Sequence, residues 1–536
     1  MAETHYYGIT LGPIYKTLGY ARKTRELWSA SYLFSYLMKS IIQTLKKEGA
    51  KFIMPYSEDE ISIDENSKSV DLFNGKYEAG LFPDRCIFHF KQNDPGLEAV
   101  NKIVKDVKKG VCEQIKGHLE KHYKDEDVSD STDFLDQYFQ VYIARLLPEK
   151  PEFNKITGEL FKVLDVLELQ PQFIQEEKKH YMKGFLAKSS FGKGDNNPSF
   201  LLSESREPDP NGNFRFKSIL EITAAGLLKG KTLEGDDLDW DTESLLERIR
   251  KKYDKDKDFR TYHKYIALVH IDGDNFGKIV KELDDKEFLN FSEKLTRFSL
   301  QVQQAVTDYG GMPVYIGGDD ALFFAPLRYK ADDKDEHIID LLDEIDRLFD
   351  TAFRDMIAKL KDKLDSLPSL SAGVAVAYHK HPLVEALDTS RNMLFGKAKG
   401  FETSGGHKKN AVAFHVLKHS GMQFGAVLSK DPEAKEVYDG FKKLVRANIE
   451  EGQFLTSVIH TLARHKGLLE EVGTDPERVG HFLDNQFNEG VHENQKDFLK
   501  KLKDFIPAIY NTYSNTDAEQ TLYGLLRMVK FLNRDD

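Results

Sequence analysis

Apolar positions along this chain fall into two blocks with the same order of periodicities. In the first, residues 6–14 read as a strand, and 21–48 as a long helix, because Leu27, Trp28, Leu33, Leu37, Ile41, Ile42 and Leu45 recur near a 3.6-residue period. Short strands over 51–56 and 84–90 follow, the latter alternating Cys86, Phe88 and Phe90. A helix over 98–123 and a strand over 137–147 complete a β-α-β-β-α-β order, which is ferredoxin-like. The second block repeats it: strand 265–271, helix 276–309 broken near Asp284–Asp285, strands 313–316 and 321–327, helix 336–360 and strand 370–378. A helix over 383–399 and a strand over 410–417 extend it. The two blocks share element order and no residue-level repeat.

The expected class is therefore α+β, with two ferredoxin-like domains. The first spans 1–169 and the second 258–418. Between them, 170–257 is a polar linking domain with turn-rich loops at 205–213 and 231–239. From 419 to 536 the pattern turns helical and predicts a C-terminal helical domain.

Composition narrows the classes. A chain of 536 residues exceeds one core. With 40% hydrophobic and 31% charged residues it reads as globular, and no run approaches the roughly 20 apolar residues of a membrane span. No export signal is visible, so a cytoplasmic protein without a membrane partner is expected. Two cysteines, Cys86 and Cys112, cannot build a four-cysteine zinc site, so no zinc is expected. A net charge of −12 argues against free-standing, non-specific nucleic-acid binding, but not against RNA held mainly by partner subunits.

Candidate chemistry lies in the second block. Gly317-Gly318-Asp319-Asp320 falls between two short strands, and the block's first strand runs into Asp272-Gly273-Asp274-Asn275-Phe276-Gly277. Alone, the glycine–aspartate run reads equally well as a hairpin turn. The pairing changes the weighing. In a ferredoxin-like sheet the first strand lies beside the hairpin, so Asp272 faces Asp319 and Asp320. Carboxylates so gathered repel unless a cation sits among them, and hard oxygen ligands suit two Mg²⁺ or Mn²⁺ ions handling phosphates. Gly317 and Gly318, lacking Cβ atoms, let a triphosphate approach the backbone. A calcium loop beginning at Asp272 fails, because Phe276 and Leu283 fill positions that need oxygen ligands. His379 and His381 read as a solvated turn rather than a metal site.

These two motifs, with residues 12–33 and Gly405–Phe414, resemble the large polymerase/cyclase subunit of type III CRISPR effector complexes, of the type III-B (Cmr) form. The resemblance covers nearly the whole chain: two nucleotidyl cyclase-like palm domains, the second carrying the GGDD site, a linker and a helical domain. It implies a metal-dependent nucleotidyltransferase with antiviral function, switched on by target RNA pairing with guide RNA among other subunits. Asp272, Asp319 and Asp320 are implied as catalytic metal ligands, with the Gly273 carbonyl as a further ligand. Gly317, Gly318, Asp274, Asn275, Phe276, Lys397 and Lys399 are implied as nucleotide-binding. No His-Asp dipeptide occurs, so DNA nuclease activity is not expected.

The first palm lacks the acidic pair, so it is expected to bind an acceptor without catalysing. For an acceptor ATP, Lys16, Arg22, Lys23 and Arg25 are the basic candidates. For S-adenosylmethionine, which some relatives join to AMP, a sulfonium and an ammonium favour carboxylates, and Asp71 and Glu152 are the candidates. The second messenger expected is the S-adenosylmethionine–AMP conjugate. The alternatives are cyclic oligoadenylate from ATP alone, or a mainly structural scaffold subunit.

Overall fold

The first apolar block folds as its element order requires. The computed structural model describes residues 4–63, 69–91, 93–170, 180–188, 199–206, 216–228, 259–331, 334–403, 405–447, 452–487 and 495–533. Strand β1 (Tyr6–Gly12) leads through helix α1 (Thr24–Lys47) to β2 (Ala50–Met54), β3 (Arg85–Phe90), α2 (Gly96–His122) and β4 (Gln140–Leu146). The sheet runs β2-β3-β1-β4, antiparallel throughout, which is the ferredoxin-like order. Tyr7 and Ile9 point to α1 and α2, whereas Tyr6 points to the other face with Leu160 and Leu164 of α3 (Phe153–Glu168).

The second block gives β5 (Tyr265–Asp274), α4 (Phe276–Glu282), α5 (Asp285–Asp308), β6 (Met312–Gly317), β7 (Asp320–Pro326), α6 (Ile338–Leu360) and β8 (Ser369–Tyr378). The expected break before α5 has a local cause. The Asp284 carboxylate accepts the Glu287 N–H and Glu287 accepts the Asp284 N–H, a reciprocal cap that starts a new helix. Before α6 a short hairpin (Arg328–Ala331 with Lys334–His337) replaces the first expected turn of helix. Helix α7 (Leu383–Asn392) continues into a π-helix over Met393–Ala398, and β9 (Ala411–Leu417) follows.

One boundary is corrected. Strand β10 (Gln423–Ser429) pairs antiparallel with β9, so the second sheet extends past residue 418 into the stretch expected to be helical. The cause is a hairpin: Gly421 takes a positive φ of 80°, and Phe424, Ala426 and Leu428 then alternate. The sheet runs β10-β9-β8-β5-β7-β6. Helices α8 (Lys435–Val445), α9 (Gly452–Arg464), α10 (Lys466–Val472), α11 (Pro476–Gln486), α12 (Lys496–Thr512) and α13 (Asn515–Asn533) follow. Both loops predicted between the palms lie largely outside the described residues. Among the described residues no helix is long and apolar enough to cross a membrane. Cys86 and Cys112 are both buried, free thiols.

The second sheet is buried on both faces. Ala267, Val269 and Ile271 of β5, with Phe323 and Ala325 of β7, join the core beneath α5, α6 and the C-terminal helices. Ile266, Leu268, Leu322 and Phe324 point the other way, into the core shared with α1 of the first palm. The near-continuous apolar run of β5 follows from this, since neither face meets water. A first-palm strap fixes the register of the two domains. The Ile316 N–H donates to the Gly80 carbonyl (3.4 Å), Trp28 Nε1 donates to the Glu78 carbonyl (2.8 Å), and the Phe82 N–H donates to Ser35 Oγ (2.9 Å). The strap thus lies along β6, the strand that leads into Gly317-Gly318-Asp319-Asp320.

Gly373 of β8 lets the helix α7 and its π-helical extension sit directly on the sheet. A Cβ there would lie 2.2 Å from the Ser390 carbonyl oxygen and 2.3 Å from the Leu394 nitrogen, both backbone atoms. Gly373→Ala therefore overpacks this contact and is expected to cost about 1–3 kcal/mol, read as a lower urea midpoint. An unchanged midpoint would show that the helix is free to move outward.

Candidate active site

Three chain segments converge at one end of the second sheet. Ile271 of β5 lies opposite Ala321 of β7, so Asp272 and Gly273, still paired with β8, run on beside the Gly317–Asp320 turn. The turn needs its glycines for different reasons. Gly318 adopts φ of 69° and faces open space. At Gly317 a Cβ would lie 2.6 Å from the Tyr315 hydroxyl and 3.0 Å from the Leu81 carbonyl of the first-palm strap. The close approach at Gly317 is thus made by protein, whereas Gly318 offers the open backbone.

Asp319 stands against Gly273, where a Cβ would come within 2.5 Å of Asp319 Oδ2. Dense surroundings, then the neighbouring Asp320, and more weakly Asp274, raise the Asp319 pKa. For Asp320 the same crowding acts first and Asp84 of the first palm second. Asp320 nevertheless keeps substantial contact with solvent, as a side chain on the floor of an open cleft does. That contact with water moderates the rise.

Lys399 supplies the positive charge. Its Nζ donates to the Gly273 carbonyl (2.8 Å), contacts Asp272 Oδ2 and lies 3.7 Å from Asp274 Oδ1. Burial, then the nearby Lys409, lowers its pKa to about 8. A cation therefore already sits among these oxygens, which is the donor set that suits Mg²⁺ or Mn²⁺. Asp272, the Gly273 carbonyl and Asp319 suit such ions by chemistry and by the cradle that only glycine leaves at position 273, whereas side-chain oxygens of Asp272, Asp319 and Asp320 do not all lie within 4.8 Å of one another here.

The other expected nucleotide contacts separate. Asp274 is fully buried, and its Oδ2 accepts Ser371 Oγ (2.6 Å), Ser369 Oγ (2.9 Å) and the Asn410 N–H (3.1 Å), so it ties β5 to β8 and to the start of β9. Phe276 lies in an aromatic core with Phe291, Phe349 and Phe353. Asn275 takes the left-handed conformation (φ 64°) before α4, and its Nδ2 donates to the Leu367 carbonyl. Lys397 is exposed on the π-helix. In the first palm, Asp71 is exposed and accepts the Phe73 and Asn74 N–H groups in a turn, while Glu152 is partly exposed and pairs with Lys155. No hydrogen bond or ion pair among the described residues joins Asp71 to Glu152.

Two features take their place only in the structure. Asp84 adjoins the strap, and burial raises its pKa to about 6. Arg85 beside it is held by Asp165 (2.7 Å) and Glu168 (2.7 Å), and Glu168 also accepts Thr10 Oγ1. The second is a ladder across the palm interface. The Arg391 guanidinium lies 3.8 Å from the Tyr15 ring centre and 5.8 Å from that of Phe395, and Lys399 Nζ lies 5.8 Å from Phe395. Phe395 is 52% exposed. The i, i+4, i+8 spacing of Arg391, Phe395 and Lys399 was the available signal; that Tyr15 completes the ladder was not visible. The π-helix, a rare conformation frequent at functional sites, carries Phe395.

Two ferredoxin-like sheets, held in register by a strap and carrying one acidic turn, define a two-palm protein of nucleotidyl cyclase-like fold. The chain belongs to the Cas10/Cmr2 family. Residues 265–413 match the family described as Cas10/Cmr2, second palm domain, and residues 6–124 match CRISPR-associated protein Cmr2, N-terminal. A curated relative, the CRISPR system Cmr subunit Cmr2 of Pyrococcus furiosus, is 26% identical over 191 residues, 30% of this chain. That match spans 19% of the relative's length. Among solved structures, the type III-B Cmr-beta complex bound to cognate target RNA gives a TM-score of 0.57 at 11% identity, over 99% of this chain and 83% of that one. The apo state of Cmr-beta gives 0.51 at 12% identity, over 86% and 77%. At these identities the likeness is one of fold.

The raised carboxylates predict a pH signature. Because their folded-state pKa values lie above the ordinary carboxylate value, their contribution to stability is present at low pH and is lost as pH rises through those raised values. In chelator, Asp319→Asn is therefore expected to raise the thermal midpoint by a few degrees at pH 8, and by less at pH 5. Calorimetry at the two pH values reads this, and a gain independent of pH would rule out the charge explanation.

Proposed function

We propose that this chain is a target-RNA-activated nucleotidyltransferase of a type III CRISPR antiviral complex, making a nucleotide second messenger from ATP. The observation that carries the reading is the placement of Asp272 and the Gly273 carbonyl, both held by the Lys399 ammonium, beside Asp319 of the Gly317–Asp320 turn. Asp272, the Gly273 carbonyl, Asp319 and Asp320 would hold Mg²⁺ or Mn²⁺, whose chemistry is to polarise phosphoryl oxygens and neutralise developing charge. Lys399 is placed to move from these oxygens to a phosphate as a point charge, with Lys397 outside it. The open backbone at Gly318 leaves room for the triphosphate. Phe395 and Arg391 offer faces on which an adenine can stack. An acceptor hydroxyl attacks the α-phosphorus of ATP, a new P–O bond forms, and the bond to pyrophosphate breaks.

The acceptor side of the cleft favours a cation. Around Arg85 stand Asp84, Asp165 and Glu168, so the one guanidinium is already neutralised. A second triphosphate would meet excess negative charge there, whereas the sulfonium of S-adenosylmethionine would be attracted. The product we favour is accordingly the S-adenosylmethionine–AMP conjugate. Asp71 and Glu152 remain candidates for the acceptor, and Asp84 joins them. Cyclic oligoadenylate from ATP alone is the second reading, favoured if Lys16, Arg22, Lys23 and Arg25 receive an acceptor triphosphate. Other complex subunits, guide RNA and target RNA are the partners proposed, since the Cmr-beta relative is described with cognate target RNA.

The test is a mass-resolved product assay on the assembled complex with target RNA, Mn²⁺ and ATP, with and without S-adenosylmethionine. A product requiring both substrates, at their combined mass less pyrophosphate, is expected. Adenylate rings from ATP alone would replace the first product reading with the second. Asp319→Ala with Asp320→Ala is expected to abolish product while assembly persists; loss of assembly instead would favour a scaffold role.

Phe395→Ala tests the stacking face separately. It is expected to raise the KM for ATP about tenfold, the effect of losing 1–3 kcal/mol of base stacking, with kcat changed less. Steady-state kinetics in which KM is unchanged would remove Phe395 from the nucleotide site.

A further inference from the structure

The loop between the π-helix and β9 carries a second cluster of ligand-bearing side chains, remote in character from the Asp-rich cleft. His407 on that loop faces Asp431 and Glu433, which lie just beyond β10. One ligand atom from each of the three residues can be chosen so that all lie within 4.8 Å of one another. His407 Nδ1 is 3.4 Å from Asp431 Oδ2, and Nε2 is 3.1 Å from Glu433 Oε1.

The surroundings orient each carboxylate. Asp431 Oδ1 accepts the Glu433 N–H (3.2 Å), which leaves Oδ2 toward the imidazole. Glu433 Oε2 accepts Thr403 Oγ1 (3.4 Å), which leaves Oε1 toward the imidazole. Thr403 Oγ1 in turn accepts the His407 N–H (3.1 Å), so one hydroxyl links the histidine's backbone to the glutamate. The loop wraps this group so closely that a Cβ on Gly405 would lie 2.0 Å from Glu433 Oε2. One oxygen of each acid is thus held by protein and the other is directed inward, which is how outer hydrogen bonds prepare metal-ligating carboxylates.

We infer that His407, Asp431 and Glu433 form a binding site for a first-row divalent transition-metal ion, with one imidazole nitrogen and two carboxylate oxygens as ligands and water completing the shell. An imidazole with two carboxylates suits Zn²⁺ and its congeners better than Mg²⁺, which prefers oxygen alone. The expectation of no zinc rested on the cysteine count and concerned a different kind of site. The ion is structural in role: it clips the loop to the end of β10. The same loop ends at Lys409 and Asn410, both at positive φ, and the Asn410 N–H reaches Asp274. This inference is independent of the reading of the Asp-rich cleft.

The full-length chain is stripped with chelator, titrated with Zn²⁺ or Co²⁺, and passed through a desalting column before metal analysis. Wild type is expected to retain one equivalent more than His407→Ala or Glu433→Gln, with a rise in thermal midpoint that both variants lose. With Co²⁺, visible absorption is expected from wild type and from Asp319→Ala with Asp320→Ala, but not from His407→Ala. Equal metal retention and equal thermal shifts in wild type and both loop variants would overturn the site. So would no retained ion in wild type, which would leave the imidazole as a metal-free clasp between two acids.

Discussion

The arrangement of this molecule depends on burying both faces of the β5–β7 strand pair. Leu268 and Phe324 face the first palm, and Val269 and Phe323 face the helices of the second. Each such side chain withdrawn from water contributes on the order of 1.5–3 kcal/mol, and the strand pair commits them to two different cores. The two palms therefore cannot part without exposing one face of the sheet that carries the acidic turn. The strap over residues 78–82 adds direction to that contact, because its backbone pairs beside β6.

The cleft inherits its chemistry from this packing. Crowding raises the Asp319 and Asp320 pKa values, and part of the crowding on Asp320 comes from Asp84 of the other palm. Lys399 reaches Asp272 and the Gly273 carbonyl because Gly373 lets the α7–π-helix unit lie directly on β8. A shift of one palm against the other would alter Asp84, the strap and the Tyr15–Arg391 contact together.

Several residues of the two motifs turn out to hold the site's frame. Asp274 spends its carboxylate on Ser369, Ser371 and the Asn410 N–H, and Phe276 fills an aromatic core. The resemblance implied nucleotide contact for both, but Asp274 lies fully buried against β8 and Phe276 among aromatic rings. Asp71 and Glu152 show the converse: both reach solvent, and each is engaged by its own neighbours in sequence.

The sequence by itself determined the element order of both palms, the break at Asp284 and the pairing of the strand that carries Asp272 with the strand that follows the Gly317–Asp320 turn. These follow from periodicity, local capping and the adjacency rules of one sheet, all of which are written in short stretches of chain. It did not determine strand β10, whose single apolar face alternates over few residues and depends on β9 for its pairing. Nor did it determine the contributions of Asp84, Tyr15 and the strap, or the grouping of His407 with Asp431 and Glu433. Those pair residues far apart in sequence or separated by whole strands, and only the packing of one surface on another decides which of many similar side chains meet.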